Sequence, residues 1–326
     1  MKQFILLVLV LAVCVAIIIL GNEKKPDSNE LMVPASNSST TVGAASGTGT
    51  DVSYEAIQSY AKEYEIKPID AKIDRVWMAI PGYNGLTVDI EKSYQKMLDA
   101  NNFNTDHLVF KEVPPKIHLK DLPPSPIYKG NPEKPMAALL INVAWGEEHI
   151  PAMLKTLKDS QVMATFFFDG SWVKRNPDII TMISLEGHEI GNHAYSHPDL
   201  ANRSRAETIG ELEKTNEVIE AALGVKPKWF APPSGSYNQV TIDAAHELNM
   251  KTILWTVDTV DWKKPDTAEM VARVVSGVEN GSMILMHPTK PTAEGLAAII
   301  EGIKKKEIQL GTVGDLLSEK RADKHE

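Results

Sequence analysis

Gly187-His188-Glu189-Ile190-Gly191-Asn192-His193-Ala194-Tyr195-Ser196-His197 places two imidazoles four residues apart, directly after a short apolar run bounded by glycines. Where such a segment leaves a strand and enters a helical turn, side chains at i and i+4 point the same way. His193 and His197 then offer two nitrogens to one cation, with a carboxylate needed to complete the set. The alternative reading makes His188, His193 and His197 hydrogen-bonding residues of a polar loop, and the spacing alone does not choose between the two.

Around this stretch, apolar runs and helical periodicity alternate. Met136 to Val143 and Val162 to Phe168 read as strands, with Ile150, Met153, Leu154 and Leu157 at helical spacing between them. Asn176-Pro177 opens a helix, Glu189 to Asn192 is a short strand, and Ser204 with Glu207 forms a capping box ahead of a helix to about Leu223. Lys228 to Ala231, Thr252 to Val257 and Ser282 to His287 are further strands. Helices are expected near Val240 to Leu248, Ala268 to Val278 (Asp266 and Glu269 as capping box) and Thr292 to Lys304, before a last strand and helix from Ile308 to Leu317. This rhythm predicts an α/β fold with a parallel sheet wrapped by helices, a distorted (β/α) barrel. Barrel sites lie at the carboxyl ends of strands, and the polar clusters Asn142 to Glu148, His193 to His197, Pro232 to Tyr237, Asp258 to Trp262 and His287 all follow predicted strands.

The chain of 326 residues, 43% hydrophobic, has material for one large domain and an accessory one. Its formal net charge of -9, with no segment interleaving basic and aromatic residues, argues against nucleic acid as a partner. Residues 1–21 read as a signal or anchor. Lys2 precedes an apolar run from Phe4 to Leu20, longer than the usual core of a cleaved signal and without a clear small-x-small cleavage site, so an uncleaved membrane anchor is the preferred reading. Cys14, the only cysteine, lies inside this run; Val13 before it makes a poor lipidation site, and an internal disulfide is excluded. The expected address is the outer face of the cytoplasmic membrane or the cell wall, or the medium if the run is cleaved.

Residues 22–50, rich in Ser, Thr, Asn, Gly and Ala, read as a disordered tether. Residues 51–113 read as a small α+β module for packing or binding: helical spacing at Tyr54, Ile57, Tyr60 and Tyr64, strand from Ile66 to Ile80, a turn at Tyr83-Asn84-Gly85, a helix around Ile90 to Leu98, and strand from His107 to Val113. Residues 114–135, dense in proline, read as a stiff extended linker at a domain boundary.

Gly187-His-Glu-Ile-Gly-Asn-His-Ala-Tyr-Ser-His-Pro-Asp-Leu200, Phe230-Ala-Pro-Pro-Ser-Gly-Ser-Tyr-Asn238, Trp255-Thr-Val-Asp-Thr-Val-Asp-Trp262 and Ile284-Leu-Met-His-Pro288 occur in that order, with Ala164-Thr-Phe-Phe-Phe168 ahead of them. Together they resemble the motifs of the polysaccharide deacetylases, the NodB homology domain of carbohydrate esterase family 4, over residues 136–318. The tether and module resemble an exported, sporulation-associated, YlxY-like branch of that family. The resemblance implies a divalent metal ion, zinc in the first instance, on His193 and His197. It also implies His287 as the general acid tuned by Asp261, Trp262 and Leu285 lining the groove for sugar and acetyl group, and cell-wall polysaccharide as the partner.

The other half of the family pattern is missing. Where the family carries Thr-Phe-Asp-Asp-Gly, with a base and a third metal ligand, this chain has Asn142-Val143-Ala144-Trp145-Gly146. The family's Arg-Pro-Pro-Tyr, whose arginine holds the base, is here Ala231-Pro232-Pro233-Ser234. Ala144 accepts no proton and Trp145 offers a metal no lone pair while adding bulk to the groove, so any ion is expected to bind weakly. Glu147 and Glu148 are candidates for a substitute base or ligand; the alternative is that they are surface glutamates opening a helix. Two functions follow: a metal-dependent hydrolase removing N-acetyl groups from envelope amino sugars with reorganised base chemistry, or an inactive descendant that binds glycan or acts as a scaffold.

Overall fold

The strand β5 (Met136–Val143) is the centre of the molecule, and its side chains are buried almost without interruption because both faces of its sheet are covered. The computed structural model describes residues 52–322, which belong to one compact unit, Thr50–Glu326. The expected anchor and tether lie outside the described residues. Within the described residues no helix is long and apolar enough to cross a membrane.

Four short strands precede β5: β1 (Lys72–Asp74), β2 (Met78–Ile80), β3 (Gly85–Val88) and β4 (Phe110–Val113). After it come β6 (Thr165–Phe168), β7 (Glu189–Asn192), β8 (Trp229–Phe230), β9 (Lys251–Thr252), β10 (Val257–Asp258), β11 (Met283–Met286) and β12 (Gln309–Gly311). The main sheet has the order β10-β11-β5-β6-β7-β8-β9, with β12 added to the amino-terminal half of β5, and every pairing in it is parallel. Since β9 and β10 do not pair, the barrel is open along that seam. The α/β architecture is therefore as the alternation predicted, in the form of an open half-barrel.

Side chains alternate across the sheet with the strand period of two. Leu139, Ile141, Val143, Phe166, Phe168, Ile284 and Met286 face the outer helices in one core. Ala138, Leu140, Phe167, Met283 and Ala231 fill the inside, closed by the C-terminal helix Val313–Leu317. Gly191 is required there: a Cβ on it would lie 2.4 Å from the Phe167 ring. Burying one such aromatic ring contributes about 1.5–3 kcal/mol.

The Ser204/Glu207 capping box forms in both directions and starts the helix Arg205–Leu223. At Asp266 only half of the expected box is present, the aspartate accepting from the Glu269 N–H at 3.0 Å. The expected strand Ile66–Ile80 is instead an antiparallel hairpin, β1 on β2, preceded by isolated bridges at Ile66 and Ile69. The Tyr83-Asn84-Gly85 turn does not form. Tyr83 bridges Ile69, the Asn84 N–H donates to the Glu319 carbonyl, and Gly85 begins β3, so contacts remote in sequence override the local turn signal. His107 ends a short 3-10 turn, and the strand expected from it begins at Phe110. The proline-dense stretch 114–135 is packed along the barrel: the Ile127 N–H donates to Thr252 O and its carbonyl accepts from Leu254 N–H, so Ile127 lies alongside the β9 edge and bridges it to Met78.

Candidate functional site

Strand β7 ends at Asn192, whose Oδ1 accepts the Ala194 N–H while its Nδ2 donates to Leu212 O and Asn216 Oδ1. Ala194 (φ 61°) and His197 (φ 56°) are both left-handed, so the two histidines do not share a helical turn as expected. They still meet, with ring centroids 5.2 Å apart, because Glu211 of the neighbouring helix accepts the Tyr195 and Ser196 N–H groups at 3.0 and 2.8 Å and clamps the loop. Nothing local in the sequence announced Glu211. His188 is turned away from this pair, accepting the Ala164 N–H and packing on Phe166.

His193 is 2% exposed and its Nδ1–H donates to the Ala231 carbonyl at 2.8 Å, which leaves Nε2 as the bare nitrogen of a neutral ring. Burial, and after it the neighbouring His197, pushes its pKa down to about 3. Across the rim, Asp261 is fully buried in a tight turn between Val260 (φ 49°) and Lys264 (φ 53°). A β-branched residue with positive φ is strained, and the strain sits where the carboxylate is aimed inward. Asp261 Oδ1 meets His287 Nδ1 at 2.8 Å, and Oδ2 accepts the His287 N–H at 2.7 Å and the Thr292 hydroxyl at 2.6 Å. Burial raises the Asp261 pKa, but these hydrogen bonds and the imidazole charge outweigh it and hold the carboxyl below its ordinary value. Such a pair fixes a proton on His287 Nδ1 and leaves Nε2 for exchange with a ligand. Thr292, like Glu211, was not read from the sequence.

At the end of β5 the Gly146 backbone is left-handed (φ 83°), and a Cβ there would meet the Pro288 carbonyl oxygen at 2.0 Å. Trp145 lies over His287, rings stacked within 10° at 5.8 Å between centroids. A cleft of about 360 Å³ is lined by Asn142, Ala144, Trp145, His193, His197, Trp262, Leu285 and His287, so seven of the nine residues singled out for the site or groove, together with Asn142 and Ala144, lie at one rim or just beneath it. The two glutamates are the exceptions. Glu147 accepts from Trp172 Nε1 at 3.3 Å, and its pKa is lowered first by its own backbone N–H and then by that indole. Glu148 stands 3.6 Å from His149 Nε2 and faces a separate outer cleft. Neither lines the cleft of the histidine pair. Asp169, at the end of β6, caps a helix through Trp172 N–H (2.8 Å) and Ser171 Oγ (2.6 Å).

Among the described residues no group of three or more His, Cys, Asp or Glu side chains is arranged to hold a metal ion. Two imidazoles beside Ala144 and Trp145 do not fit a catalytic ion site, which takes three protein ligands. The buried Oδ1 of Asn142 has no hydrogen-bond partner, so the floor of the cleft is polar without being anionic.

A half-barrel with a His pair and an Asp-His pair at its carboxyl rim defines a class, and residues 129–253 match the family described as polysaccharide deacetylase. The chain belongs to the polysaccharide deacetylases, carbohydrate esterase family 4, in their YlxY-like branch. It is 54% identical to the uncharacterized protein YlxY of Bacillus subtilis (strain 168), over 83% of this chain and 85% of that one. It is 35% identical to a peptidoglycan-N-acetylglucosamine deacetylase of Bacillus cereus, over 55% of this chain and 67% of that protein. Among solved structures it is similar to BA3943, described as a carbohydrate esterase family 4 pseudoenzyme from Bacillus anthracis, with 48% identity, a TM-score of 0.77, and coverage of 83% of this chain and 96% of that chain. A BA3943 mutant described as having restored enzymatic activity is equally similar in fold, with a TM-score of 0.77 at 46% identity, over 82% of this chain and 99% of that chain.

Proposed function

We propose that this chain is a non-catalytic polysaccharide deacetylase that holds N-acetylated cell-wall glycan in the envelope without hydrolysing it. One observation carries the reading: at the end of β5, where the family places base and third ligand, stand Ala144 and an indole stacked on His287. Removing a general base usually costs two to four orders of magnitude in rate, and a two-imidazole site activates water poorly. The likeness to a protein described as a pseudoenzyme supports the same reading. Export and anchoring through Phe4–Leu20, at the outer face of the membrane, belong to this proposal, as does expression during sporulation suggested by the branch it resembles. Added protease should digest the protein on intact, wall-stripped cells; full protection would contradict the placement.

The test of function is co-sedimentation with purified peptidoglycan sacculi alongside an acetate assay. The protein should pellet with the sacculi and release no acetate. A second reading, an enzyme with its base elsewhere, is favoured by the intact Asp261–His287 pair. Acetate release that disappears in His287→Ala would establish it.

A further inference from the structure

Of the tryptophans among the described residues, Trp145 and Trp262 are the exposed ones, at 45% and 54%. Each has one face engaged within the chain: Trp145 against the His287 ring at 5.8 Å, Trp262 under Lys263 Nζ at 4.9 Å. Both border a second cleft of about 690 Å³, roughly twice the volume of the histidine cleft, with which it shares the Trp145 and Trp262 walls. Glu148, Glu294, Lys264 and Lys290 also line it, with Lys290 and Glu294 paired at 3.7 Å. Asp266, which caps a helix, and Asp261, held by His287, add carboxylates to this lining, so its charge disfavours a polyanion, while the mixed charges supply donors and acceptors to a hydroxyl-rich, uncharged molecule. Indole faces flanking such a polar rim suit the apolar C–H face of a pyranose ring.

We propose that an uncharged run of N-acetylhexosamine glycan docks in this outer cleft, stacked on Trp145 and Trp262, and not in the histidine cleft. The inference rests on the glycan-binding reading above and gives it a location. It also assigns Trp145 a gain: the side chain that stands where the family has a metal ligand becomes the wall of a new binding surface.

The test is calorimetric titration of the full chain with the pentamer of N-acetylglucosamine, combined with NMR of indole and imidazole side-chain signals. Trp262→Ala and Trp145→Asp should each weaken binding at least tenfold, and Trp145→Phe should keep it within threefold. The pentamer should shift the Trp145 and Trp262 indole signals and leave the His197 ring signals in place. Should Trp145→Asp fail to fold, Trp262→Ala, at a more exposed position, decides alone. Pentamer binding that ignores Trp262→Ala, or that shifts His197 and not Trp262, would overturn the outer-cleft assignment while leaving glycan binding intact. A wild-type chain that binds no pentamer, and also fails to pellet with sacculi, would remove the glycan-binding reading itself.

Discussion

Ala231 shows how far a single residue has been absorbed by the surrounding structure. It stands where the family carries an arginine, yet here it is 1% exposed, packed with Phe167 and Leu140, and its carbonyl holds His193. An arginine returned to that position alone would be a cation inside an apolar barrel without a counter-charge. Ala231→Arg is therefore expected to cost about 3–5 kcal/mol in denaturant unfolding, the scale seen for an uncompensated buried charge. Adding Ala144→Asp, the partner that the family pattern places beside it, should recover about 0.5–3 kcal/mol as a coupling energy in a double-mutant cycle. Strict additivity of the two changes would mean that the two positions no longer face each other.

Among the elements, β7 carries a constraint that reaches the barrel interior. A Cβ on Gly191 collides with the Phe167 ring, which fills the interior with Leu140 and Met283, so Gly191→Ala must push the ring aside. Overpacking of this kind costs about 1–3 kcal/mol, read as a lower unfolding midpoint; relief by Phe167→Leu in the same chain would identify the collision as the cause. The limits of β5 and β7 and the Ser204 capping box were legible in the sequence, because apolar runs and a box spanning three residues are local signals. The convergence of His193, His197, Asp261 and His287 was legible through the strand-end rule. The path from His193 to His197 was not, because two left-handed residues and the carboxylate of Glu211, fourteen positions further on, set it. The turn signal at Tyr83–Gly85 is overridden for the same reason: the partners of this segment, Ile69 and Glu319, are distant in sequence.

At the scale of the whole molecule, the stretch 114–135 and the C-terminal end hold module and barrel as one unit. Lys134 donates through Nζ to the carbonyls of Asp315 and Ser318 at 2.6 and 2.7 Å. Burial pushes its pKa down to about 8. In the unfolded chain a lysine keeps its proton to about pH 10.4, so between these values the unfolded state binds more protons and stability rises with pH. Urea midpoints of Lys134→Met should lose that rise between pH 8 and 10, whereas parallel curves for variant and wild type would refute it. On the proposed reading, this barrel lacks turnover because base, third ligand and positioning arginine are missing together, while the Asp261–His287 pair stays aligned. The most direct measurement is acetate release from the N-acetylglucosamine pentamer, in the presence of zinc, by the wild-type chain and by the triple variant Ala144→Asp, Trp145→Asp, Ala231→Arg. The account predicts no release by the wild type, little by any single variant and measurable release by the triple, because groups acting as a unit are not additive. Acetate released by the unmodified chain, and abolished by His287→Ala, would contradict it.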